Sequence, residues 1–156
     1  MYLYRETFMF ARLLYFLVLI LAAPAFANES APPMTVDGGR VITVEEAKAI
    51  FDSGKVLFVD VRNPLNYGKG HISSAIAAPF EKNGGDEGQK RAFLAKLPLD
   101  KRAPIIVYSH GNTGWKSYYA AAEAVKAGYG NIMWMREGFK AWQSNNFSVS
   151  SGPENN

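Results

Sequence analysis

Apolar positions along this chain fall into short unbroken runs separated by stretches with helical spacing. Residues 56–61 (VLFVDV), 105–108 (IIVY) and 131–135 (NIMWM) are rich in β-branched and aromatic side chains. Runs of this length predict strands buried on both faces. Between them the pattern becomes helical. Thr43 followed by Glu46 makes a capping box, and the helix it opens runs to about Ser53 and stops at Gly54. Residues 89–97 place Phe93, Leu94 and Leu97 on one face before Pro98 ends the pattern. An alanine-rich helix is expected over 116–127, stopped by Gly128, and a short last helix over 137–144. Residues 75–78 (AIAA) predict one more short strand. The stretch 62–70 (RNPLNYGKG) reads as turn chemistry and 81–88 (EKNGGDEG) as a loop. Strands alternating with helices predict an α/β fold, a parallel sheet flanked by helices on both faces.

The first residues follow another logic. Arg5 and Arg12 flank the start, an apolar run fills 13–23 (LLYFLVLILAA), and Pro24 precedes Ala25-Phe26-Ala27. A basic start, a short apolar stretch and a small-residue site predict a signal peptide over 1–27, cleaved after Ala27. The run is shorter than the roughly 20 apolar residues of a membrane span. The expected location is therefore periplasmic or secreted. The alternative is an uncleaved segment anchoring the chain, which is the one route by which it would meet a membrane. Residues 28–40 read as a flexible lead-in, 41–147 as the folded domain and 148–156 as a tail.

Composition narrows the chemistry. With 48% hydrophobic and 20% charged residues the chain is an ordinary globular one rather than a disordered one. It has no cysteine, which excludes a disulfide framework, a thiolate zinc site, an iron–sulfur cluster and a thiol nucleophile. Two histidines, His71 and His110, are too few for a histidine-rich metal site, so neither metal nor cofactor is expected. A net charge of +3 falls short of the dense Lys/Arg field of nucleic-acid binders.

One loop meets the positional requirement for a ligand site in such a sheet, beyond the carboxyl end of a strand and before a helix. It reads Ser109-His110-Gly111-Asn112-Thr113-Gly114-Trp115, followed by Lys116 and Ser117. Glycines let backbone N–H groups converge, and the next helix points its positive end at the same place. A small oxyanion such as thiosulfate or sulfate suits that arrangement. The plain alternative is a structural turn that binds nothing.

The surrounding sequence resembles the rhodanese family. The residues that carry the resemblance are Asp60-Val61-Arg62 after a buried strand, Tyr67 with Gly70-His71-Ile72, Ala75-Ile76 with Pro79, Tyr108-Ser109 opening the loop, and Glu137-Gly138-Phe139-Lys140-Ala141-Trp142 near the end. It covers about 41–147 and implies a three-layer rhodanese-like fold. Tyr108 to Ala121 (YSHGNTGWKSYYAA) is similar to one branch, whose loop reads Cys, four residues, Cys, Trp, one residue, Ser. Here Ser109 stands at the first Cys and Gly114 at the second, while Trp115 and Ser117 match.

The resemblance implies a sulfurtransferase mechanism in which a cysteine at position 109 holds a persulfide. That step needs a soft thiolate, and a serine hydroxyl cannot supply it. The expectation is an exported rhodanese-like protein without thiosulfate sulfurtransferase activity, serving as an anion-binding or protein-interaction module. The alternatives are an active sulfurtransferase in which Ser109 replaces a natural cysteine, and an enzyme with altered serine chemistry that uses His110 as base. The expected ligand contacts are His110, Gly111, Asn112, Thr113, Gly114, Trp115 and Lys116. Lys116 is the cation chosen for the anion, and Trp115 the wall of the pocket. Asp60 with Arg62 is read as a structural pair, His71 as structural, and Trp134 and Trp142 as core. The expected partner is a small oxyanion or a protein; nucleic acid is not expected.

Overall fold

The structure is a computed structural model, and it describes residues 31–153. The expected signal peptide lies outside the described residues. Five parallel strands form the main sheet: β1 (Arg40–Ile42), β2 (Leu57–Asp60), β4 (Ile76–Ala77), β5 (Ile105–Tyr108) and β6 (Ile132–Met135). Their spatial order is β1-β6-β5-β2-β4. A second small sheet pairs β3 (His71–Ile72) antiparallel with β7 (Val149–Ser150).

Alternation along the central strands decides which helix each residue meets. Ile105 and Val107 face one layer with Val59, Ile132 and Trp134. There they pack under α3 (Glu87–Ala95) and α4 (Trp115–Lys126), through Phe93 and the small residues Ala120, Ala121 and Ala124. Ile106 and Tyr108 face the other layer with Phe58, Met133 and Met135. That side is covered by α1 (Val44–Asp52) and α5 (Gly138–Ser144), through Ala47, Phe139 and Trp142. Both layers are apolar, so the strands needed to be apolar on both faces rather than alternating. The parallel sheet with helices on both faces is as the pattern predicts.

Several local readings change. The stretch read as turn chemistry contains a helix, α2 (Pro64–Lys69), capped by Asn63 accepting from the Asn66 N–H, with Pro64 at its first position. Six residues are too few to display a helical apolar stripe. The third helix starts earlier, because Asp86 and Gln89 form a reciprocal capping box. Arg40 begins an edge strand and Val36 is buried, so the stretch read as a lead-in is partly tied to the body. Val149 and Ser150, in the stretch read as tail, pair with Ile72 and His71. Two-residue strands carry no periodicity, so only pairing reveals them.

Candidate functional site

The topology marks one crevice. After β2 the chain moves outward to β4, and after β5 it passes through α4 to β6 on the opposite side. The carboxyl ends of β2 and β5, at Asp60 and Tyr108, therefore flank the point where the strand order reverses. The Ser109 loop rises from one of these ends and Arg62 from the other.

Ser109 is 2% exposed. Its Oγ lies 2.9 Å from Ser117 Oγ. Ser117 Oγ also lies 3.0 Å from Trp134 Nε1 and 3.0 Å from the Gly114 carbonyl oxygen. An indole N–H only donates and a carbonyl only accepts. Ser117 therefore gives its one proton to Gly114, and the proton between the two serines comes from Ser109. The loop also closes on itself. The Gly114 N–H donates to Gly111 O at 2.8 Å, and the Trp115 N–H to Thr113 O at 3.0 Å. Two of the N–H groups expected to face an anion are directed inward.

The base of α5 holds this loop from outside. The Phe139 N–H donates to Ser109 O at 2.8 Å and the Lys140 N–H to His110 O at 3.0 Å. Gly138 permits the approach. Its φ is +66°, and a Cβ there would stand 2.6 Å from both Ser109 O and Gly111 N. Only glycine meets both conditions.

The other expected contacts separate. His110 reaches solvent, with its Nε2 3.3 Å from Asn66 Nδ2. Partial burial, followed by the Arg62 charge, holds its pKa below the ordinary 6.5; Lys116 adds to this and Asp60 opposes it. Because Ser109 gives its proton to Ser117, Ser109 and His110 do not form a nucleophile–base pair. Lys116 Nζ turns to Glu81 Oε2 at 3.7 Å. Trp115 stacks on Tyr119, with ring centres 5.4 Å apart, and meets Tyr118 edge-on at 5.6 Å. It packs along α4 and does not wall the cleft beside the loop.

That cleft has two hollows. One, of about 470 Å³, is lined by His110, Gly111, Asn112 and Thr113 of the loop and by Glu137, Lys140, Ala141 and Ser144. The other, of about 400 Å³, is lined by Arg62, Asn66, Lys69, Gly70, His110, Phe139, Lys140 and Gln143. His110 and Lys140 belong to both. Arg62 is 3% exposed and grips Asp60, itself 0% exposed, through Nε at 2.9 Å and Nη2 at 2.6 Å. Nη2 also donates to Gly70 O at 2.6 Å, and the guanidinium lies 4.1 Å from the Phe139 ring centre. Behind them the Ile72 N–H donates to Tyr108 Oη at 3.1 Å. Burial, then the Asp60 charge, pushes the Tyr108 pKa well above 10.0.

The Asp60–Arg62 pair is buried and bonded, in line with its structural reading. His71 stacks on Tyr67 with ring centres 3.8 Å apart, and its Nδ1 is 3.0 Å from Tyr67 O. Among the described residues no three His, Asp or Glu side chains gather as metal ligands. Sequence reasoning missed Asn66, Lys69, Lys140 and Gln143 as cleft residues. They lie on α2 and α5, and nothing in their spacing signals that the two helices meet at this crevice.

Comparison with known proteins places the chain. The model of the Rhodanese-like domain matches residues 43–145. A Mycobacterium tuberculosis protein named "Probable adenylyltransferase/sulfurtransferase MoeZ" is 35% identical over 105 residues, covering 67% of this chain and 24% of that protein. This chain thus matches about a quarter of that relative's length. The thiosulfate sulfurtransferase GlpE of Pseudomonas entomophila is 33% identical over 103 residues, covering 66% of this chain and 84% of GlpE. In fold, the chain is similar to the Alr3790 protein of Anabaena, with TM-score 0.59, 21% identity, and 71% of this chain and 80% of that one covered. It is also similar to BH2092 of Bacillus halodurans, with TM-score 0.58, 24% identity, and 72% and 77% covered.

Proposed function

The chain belongs to the rhodanese-like domain family, and we propose that it is a non-catalytic member, exported from the cytoplasm, that works by binding at the crevice between β2 and β5. One observation carries this reading. The position where the family's nucleophile stands holds Ser109, whose proton is given to Ser117 inside a closed loop, in a sequence with no cysteine. A relative such as GlpE is named for thiosulfate sulfurtransfer. That transfer requires a thiolate to accept and release sulfur.

Binding at the crevice is supported by the cleft of about 470 Å³ beside the loop and by Lys140 on its rim. A small oxyanion such as sulfate or thiosulfate would take its N–H contacts from residues 110–113. Export is supported by the basic start, the apolar run 13–23 and Ala25-Phe26-Ala27.

A thiosulfate-to-cyanide transfer assay on the purified chain tests the first part, and the expected result is no turnover above background. Measurable turnover would overturn the reading. Titration with sulfate, followed by tryptophan fluorescence and amide shifts at 110–113, tests the oxyanion; no response at millimolar sulfate removes it as an occupant. Subcellular fractionation and N-terminal sequencing test export, with Asn28 as the expected first residue.

A further inference from the structure

Arg62 keeps one polar group unspent. Its Nε and Nη2 are bonded to Asp60 and Gly70 O. Nη1 takes part in none of these bonds, and it is not among the sealed, unpartnered nitrogens of the described residues. Arg62 lines the hollow of about 400 Å³, and Nη1 is the guanidinium nitrogen left for an occupant of it. This is a nearly buried cation, already paired with Asp60, that lines a cavity and has one donor left over.

The rest of the hollow repeats that sign. Lys69 and Lys140 stand on its rim, exposed, and Asn66 and Gln143 bring side-chain amides. No carboxylate is among its lining residues, since Asp60 lies behind Arg62 and is fully covered. Phe139 supplies an apolar floor, on which the guanidinium rests. The hollow does not end at His110 and Lys140, which also line the neighbouring hollow along the loop and α5, where the one lining carboxylate, Glu137, accepts from the Val44 N–H at 2.7 Å. The two hollows share these two residues, and at about 470 and 400 Å³ each is far roomier than a single inorganic anion needs. They suit an extended segment whose acidic side chains meet cations while its backbone meets the amides.

We propose that this double hollow docks an extended acidic segment of a partner protein, with one carboxylate seated on Arg62 Nη1 between Lys69 and Lys140. The proposal rests on the binding reading above and names the class of partner for the same crevice. Electrostatic complementarity of this kind sets partner choice and association rate, and it weakens as salt screens it.

The test uses a fluorescein-labelled synthetic peptide of alternating glutamate and glycine, with a glutamine-and-glycine peptide as control. Binding to the full chain is read by fluorescence anisotropy at low and high salt. Lys69→Glu and Lys140→Glu change exposed side chains, and each is expected to weaken binding of the glutamate peptide about tenfold. Lys55→Glu, at the opposite end of the sheet before β2, is expected to leave it unchanged. The glutamine peptide should bind at least about tenfold more weakly than the glutamate peptide.

Equal binding of the two peptides, indifference to both reversals, or no binding at millimolar peptide would each overturn the proposal. Displacement of the peptide by citrate at equal carboxylate concentration would also overturn it, in favour of a free organic acid. The sulfur-transfer assay is read separately. Turnover there would refute the non-catalytic reading without deciding the peptide titration.

Discussion

Ser109 and Gly114 compete for one volume: any side chain at 114 would begin where Ser109 Oγ already stands. The same Cβ would also come within 2.8 Å of the Gly111 carbonyl, which is backbone and cannot turn aside. Gly114 itself has an ordinary φ of −78°, so the space rather than the backbone angle demands glycine. Gly114→Ala is therefore expected to destabilise the protein by about 1–3 kcal/mol, the usual cost of overpacking. It should also displace Ser109 from Ser117. Urea unfolding measures the first effect and side-chain NMR of the serines the second. Unchanged stability would mean the loop has room that the geometry denies.

Restoring a sulfur atom is not expected to restore sulfur transfer. In Ser109→Cys the new thiol would point at Ser117, beneath a closed loop, at a position 2% exposed in the parent. Burial without a cation raises a thiol pKa and blocks access. The variant should show no thiosulfate-dependent turnover. It should react with iodoacetamide only after unfolding in urea. Rapid alkylation of the folded variant, with turnover, would show that the loop opens readily and that serine alone silences the site.

The Asp60–Arg62 pair should matter more for stability than its two residues suggest. Both are buried, and Asp60 also accepts from the Arg62 N–H at 3.0 Å. Asp60→Ala leaves an uncompensated guanidinium inside the fold and is expected to cost about 3–5 kcal/mol. Urea unfolding checks it. A loss below about 1 kcal/mol would place the pair among weak surface ion pairs.

His110 should make the protein acid-sensitive in a defined window. Its pKa in the folded state is held below the ordinary 6.5. As pH falls below 6.5 the unfolded state takes up the proton first, so stability is lost from there down to the folded-state pKa. Above 6.5 both states are neutral and the contribution is flat. His110→Gln is expected to remove this slope while leaving stability near pH 8 little changed. Comparing urea midpoints of the two proteins between pH 5 and 8 shows the difference. A ring titration by NMR above 6.5 would contradict it.

The sheet was legible in the sequence because its strands are buried on both faces. Runs such as 105–108 have to be apolar throughout, and Thr43 with Glu46 or Gly54 mark helix ends by local chemistry alone. The small sheet and α2 were not legible. Two-residue strands and a six-residue helix carry no period, and their partners lie far away in sequence.

At the site the division is sharper. Sequence alone determined that no thiolate exists, and it singled out the loop that follows β5. The resemblance of that loop to the family's implied that Ser109 stands at the nucleophile position. Only tertiary structure decided how the loop is held. The direction of the Ser109 proton depends on Trp134, a residue of the next strand that reads as core but donates to Ser117. The closeness of the loop to α5 depends on Gly138, and the turning away of Lys116 on Glu81. Besides Arg62, the cations of the cleft are Lys69 on α2 and Lys140 on α5. Those helices meet only because packing on the sheet brings them to one end, and no local pattern records which distant side chains share a cavity.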